Sequence, residues 1–240
     1  MKEESKPAPQ TKGRTKAYCR ELAKLAHDPN NRIISFLSPD FDDELDAIRS
    51  SKKTQLAGRI ILADVDLSGL EATLHKIGIK TNPDIPLSIR KKHLFAILSP
   101  EGVELSKGEN HPHNLTNRQF KEALQAANDP ILITENERGV LSAMTEIQDS
   151  VGNHILCCFE IDGESRNFLI TMYGKRLNPF YFAKKELLFI AKRIENASSL
   201  DRPNPDRVYE AVSAYILGRK KLPVNPRTDH LANRKKDDDN

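Results

Sequence analysis

ILITENERGVLSAMTEIQDSVGNHILCCFEIDGESRNFLITMYG, residues 131–174, is where apolar residues stop recurring about every 3.6 positions and begin to alternate. The alternation predicts strands over Ile131–Thr134, Leu141–Gln148, His154–Ile161 and Phe168–Tyr173. Gly152-Asn153 and Asp162-Gly163 supply turn chemistry between the last three, and such short links make neighbours antiparallel. The expected fold class is therefore α+β: a small antiparallel meander of about four strands packed with helices, preceded by a helical N-terminal region and followed by two helices.

Outward from the meander, helical signals dominate. A helix is expected from about Arg14 to Ala26, with a short acidic one after Asp40. Ser68-Gly-Leu-Glu71 offers a capping box, with Leu70, Leu74 and Ile77 at helical spacing and Gly78 as a stop. Ser88 is placed to cap a helix to about Leu98, with Ile89, His93, Ala96 and Ile97 on one stripe. Thr116-Asn-Arg-Gln119 is a further capping box, followed by Phe120, Ala123, Leu124 and Ala127, and Asn128-Asp129-Pro130 closes that helix. After Asn178-Pro179, Ala183, Leu187, Ile190 and Ile194 predict a helix whose Lys184, Lys185, Lys192 and Arg193 face solvent or an anion. A last helix is expected from Pro205 to about Leu217.

These elements divide the chain into a disordered start (1–13), a helical extension (14–61), an α+β domain with C-terminal helices (62–222) and a disordered charged tail (223–240). The chain of 240 residues is long enough to bury a continuous core. A net charge of +3 excludes a polycation and directs attention to local basic clusters. No run approaches a membrane span and the start lacks a secretory apolar segment, so a cytoplasmic protein without a membrane partner is expected. Cys19, Cys157 and Cys158 show no metal or redox spacing, and adjacent strand cysteines point to opposite faces.

Several short motifs follow one another along the chain: Ile77-Gly78-Ile79, Pro86-Leu87-Ser88-Ile89, Lys92-His93, Asn128-Asp129-Pro130-Ile131, Met144-Thr145-Glu146-Ile147 and Ile170-Thr171-Met172-Tyr173-Gly174-Lys175. Their order resembles the C-terminal domain of MuF-type phage head proteins. The resemblance covers roughly Leu62 to Glu195. That family is grouped with the barnase, EndoU, colicin and RelE-like nucleases and occurs in phage proteins, polymorphic toxins and large polyvalent proteins of conjugative elements. Thr171 stands where the family more often has Ser, and the polar stretch Ser106–Asn114 is an insertion.

The resemblance implies a metal-independent ribonuclease without cofactor, acting on RNA, with a phage, mobile-element or immunity protein as a further partner. Cutting RNA through its own 2′-hydroxyl needs a proton acceptor, a donor for the leaving oxygen and stabilisation of the charged phosphate. The candidate catalytic residues are His93, Thr171, Tyr173 and Lys175, with Arg176, Lys184 and Lys185 as substrate-binding cations. Ordinary packing also accounts for a His on an apolar stripe and for Thr and Tyr in a strand. His111-Pro-His113 offers two imidazoles but no third metal ligand, Glu146 and Glu160 are carboxylates on neighbouring strands, and Gly218-Arg-Lys-Lys221 is a basic helix end. The alternative is a catalytically inactive protein-interaction module on the same fold.

Overall fold

The computed structural model describes residues 15–52, 55–99, 113–176, 185–191, 194 and 208–214. Its elements run α1 (Lys16–Ala26), β1 (Arg32–Ser35), α2 (Phe41–Arg49), β2 (Arg59–Ala63), α3 (Ser68–Lys76), β3 (Leu87–Arg90), α4 (Lys91–Leu98), α5 (Asn117–Ala126), β4 (Leu132–Glu135), β5 (Leu141–Gln148), β6 (His154–Ile161), β7 (Asn167–Lys175) and β8 (Glu186–Ile190). Residues 208–214 are helical and close the series. No helix among the described residues is long and apolar enough to cross a membrane. The expected disorder of 1–13 and 223–240 falls outside the described residues.

The meander β4-β5-β6-β7 forms with antiparallel register, but it is half of the sheet. The expectation of a small four-stranded sheet with a helical N-terminal region is corrected to an α+β fold around a mixed eight-stranded sheet, ordered β1-β2-β3-β7-β6-β5-β4-β8. β1 and β2 are parallel, β2 and β3 antiparallel, and β3 joins the meander in parallel to β7. These added strands do not alternate. Ile60, Ile61, Leu62 and Ala63 are all buried, so β2 is a continuous apolar run without a period-2 signature.

Two expected helices are corrected by the same fact. Ser88 does not start a helix: Leu87 and Ile89 pair with Leu62 and Ile60 as a strand, and α4 begins only at Lys91. Nor do Leu187 and Ile190 lie on a helix. They belong to β8, which pairs with β4 through Thr134↔Leu187 and Leu132↔Ile190.

Local capping signals fared unequally. Thr116 and Gln119 form the expected reciprocal capping box at α5. At α3, Ser68 lies inside the first turn and makes no cap bond; the Asn128 carbonyl Oδ1 instead accepts from the N–H groups of Gly69 (3.0 Å) and Leu70 (3.2 Å). Asn128 Nδ2 donates to the Asp66 carbonyl at 2.7 Å, tying the α5–β4 junction to the start of α3. A Cβ at residue 69 would meet the Asn128 carbonyl oxygen at 2.4 Å, so this approach needs Gly69.

The larger core lies between one sheet face and the helices. It joins Ile60, Leu62, Leu87, Ile89, Cys157, Leu169 and Met172 to Phe41, Leu45, Leu74, Leu94, Phe95, Phe120 and Leu124. A smaller core on the opposite face joins Met144, Leu156 and Cys158 to Ile194, Val208 and Val212. Strict alternation on β7 would put Ile170 and Met172 on one face. A bulge prevents this: Cys158 pairs with Thr171 and Phe159 with Leu169, so Ile170 is the extra residue. Leu169 and Met172 therefore enter the larger core, while Ile170 and Tyr173 pack toward the smaller one.

Candidate functional site

β3 and β7 share one register pair, Ser88↔Phe168. Two residues later β3 ends and α4 turns away, which leaves the following stretch of β7 without a β3 partner. His93, in the first turn of α4, takes that place: its Nδ1 bonds to the Ile170 carbonyl at 2.8 Å. A carbonyl only accepts, so Nδ1 carries the proton, and the neutral ring presents Nε2 as an acceptor. Burial, seconded by Lys92 and Arg90, pushes the imidazole below its ordinary value of 6.5, against the opposing pull of the Ile170 bond. Neutral imidazole is the prevailing form at pH 7.

Beside it an open cleft of about 440 Å³ is lined by Arg59, Ser88, Arg90, His93, Glu160, Arg166, Phe168, Leu169 and Ile170. Arg59 on β2 and Arg90 on β3 face each other directly in the antiparallel register. Like charges opposite one another are unfavourable unless an anion or aromatic face compensates them. The Arg59 guanidinium lies 4.0 Å from the centre of the Phe168 ring. Burial first, and then Arg90, hold Arg59 below its ordinary value. The opposite wall is built by the β6–β7 turn, where Asp162 Oδ1 accepts from the N–H groups of Glu164, Ser165 and Arg166. Those bonds keep the Asp162 carboxyl well below the usual range and fix the backbone that carries Arg166, which pairs with Glu160 and, at 3.5 Å, with Asp162.

The sequence candidates separate in space. His93 lines the cleft, whereas Thr171 stands opposite Cys158 in the register, one residue past the bulge. Tyr173 packs toward the smaller core and stacks on His113, with ring centres 5.2 Å apart and planes at 27°. Lys175 lies opposite His154 at the far end of β7, followed by exposed Arg176. Lys185 Nζ donates to the buried Ser142 hydroxyl at 2.9 Å, and burial lowers its pKa. Lys184, His111, Lys192, Arg193 and 218–221 lie outside the described residues. Glu146 is exposed on β5, away from Glu160 in the cleft. Among the described residues, no group of three or more His, Cys, Asp and Glu side chains stands close enough to hold a metal ion.

Arg59, Arg90, Arg166 and Phe168 were not among the sequence candidates. Their signal is a cross-strand one: Arg59 and Arg90 become neighbours only once residues 59–63 and 87–90 are recognised as paired strands. No family model, curated protein or solved structure matches the chain.

Proposed function

We propose that the cleft between β3 and β7 is an anion site of the phosphodiester-cleaving class, and that the chain is a metal-independent ribonuclease of the kind its MuF-like motifs imply. The observation that carries this is His93, its Nδ1 committed to the Ile170 carbonyl, in a cleft lined by three arginines. In this reaction His93 Nε2 accepts the proton of the ribose 2′-hydroxyl as its oxygen attacks the adjacent phosphorus. Arg90 stabilises the charge that builds on the phosphoryl oxygens. The 5′-oxygen leaves and takes a proton from solvent at the open mouth, giving a 2′,3′-cyclic phosphate and a 5′-hydroxyl. Arg166, neutralised by Glu160 in the free protein, is a further cation for the neighbouring phosphate.

Incubation of the full chain with a single-stranded oligoribonucleotide, with and without chelator, tests the proposal. Cleavage that persists in chelator, ends in 2′,3′-cyclic phosphate and falls about 100-fold or more in His93→Ala is expected. Intact RNA after incubation with the folded wild-type chain overturns it and leaves the interaction-module alternative.

A further inference from the structure

Among the described residues, Phe168 is an aromatic that belongs to neither hydrophobic core. It is half-buried on β7 and lines the cleft together with Arg59, Arg90 and Arg166. One of them, Arg59, already lies over its ring at 4.0 Å. We propose that Phe168 and Arg59 together form a nucleobase-stacking subsite, so that the substrate is single-stranded RNA whose unpaired base docks there while its phosphate meets Arg90 and His93.

The chemistry of the two groups supports this pairing. Nucleobases stack on aromatic rings and on guanidinium planes, and both are offered at one point of a rigid sheet, where little side-chain freedom remains to be lost. The phosphate-facing groups are close by. Arg90 is opposite Arg59 across one strand spacing, and Ser88 pairs with Phe168 itself. In a duplex the base faces are occupied by their neighbours, and the major groove of A-form RNA is too narrow for side chains to enter. The subsite therefore selects single strands, and it selects them through stacking rather than through a base sequence.

The inference rests on the ribonuclease proposal, and its test separates the two. Binding of the wild-type full chain is measured by fluorescence anisotropy with a short single-stranded oligoribonucleotide made uncleavable by 2′-O-methyl substitution throughout. The same strand carrying a single abasic residue, scanned along its length, and the matching duplex are compared at one salt concentration. An abasic residue at one position should weaken binding about 10-fold, with a loss of similar size or greater for the duplex. Phe168→Leu, which keeps an apolar side chain on the strand, should abolish the difference between intact and abasic strands. Equal affinity of the wild-type chain for intact, abasic and duplex RNA overturns the subsite. Preserved stacking preference without cleavage of the all-ribose strand upholds the subsite and overturns the nuclease reaction.

Discussion

His93 Nδ1 donates a 2.8 Å hydrogen bond to the main-chain carbonyl of Ile170, the one residue that the β7 bulge leaves out of register. The bond substitutes for the strand partner that β3 ceases to provide, and it fixes the tautomer of the ring. A structural need and a chemical one thus meet on the same nitrogen.

The pH dependence follows from that environment. Burial, with Lys92 and Arg90, holds the imidazole below 6.5, so its base form should persist into mild acid. The acid limb of a kcat/KM profile should have its midpoint below pH 6.5. The unfolded chain binds this proton more readily, so the same group should lower stability as pH falls through 6.5, with the loss levelling off below the folded value. A rate midpoint above 6.5 contradicts the assignment of His93 as base.

Arg59 and Arg90 repel each other across the register, so relieving the pair should leave stability nearly unchanged while weakening RNA. Arg90→Gln is expected to keep the thermal midpoint and to flatten the log–log salt dependence of single-strand binding by about 0.7, the share of one phosphate contact. An unaltered salt slope removes Arg90 from the phosphate site.

The bulge predicts unequal costs on β7. Met172→Ala empties a fully buried position in the larger core and should cost about 2–5 kcal/mol, whereas Ile170→Ala, at a half-exposed position, should cost clearly less. Denaturant midpoints of the two variants decide this. Strict alternation would have made them comparable.

At α3 the cap is remote. Asn128→Ala should cost about 1–2 kcal/mol, while Ser68→Ala should change stability by no more than a few tenths, the reverse of what a local capping box demands. Thermal unfolding of both variants tests it, and a larger loss from Ser68→Ala refutes the remote cap.

What was legible in the chain was what neighbours in sequence decide. Thr116 and Gln119 make their reciprocal bonds within one turn, and β5 and β6 are joined by a turn whose chemistry is visible in Gly152-Asn153. Ile89 was assigned to a helix because its spacing from His93 and Ala96 suits one, yet its partner is Ile60 on a separate strand. Leu187 and Ile190 fit a helical period equally well until β4 claims them. Of the residues that line the cleft, His93 had been singled out in the sequence. Its arginine companions were not, because their proximity is created by strand pairing and by one bulge that no local pattern announces.

The long reach from Asn128 to Gly69 also bears on the order in which the chain assembles. The nine residues of α3 are too few to hold a helix in water unaided, and two of the N–H groups that open it find their acceptor only when the α5–β4 junction has arrived. Closing that contact spans most of the sequence between the two halves of the sheet. Residues 68–76 therefore gain these two bonds only when the α5–β4 junction is in place, so a change at Asn128 should be felt in a helix some sixty residues away along the chain.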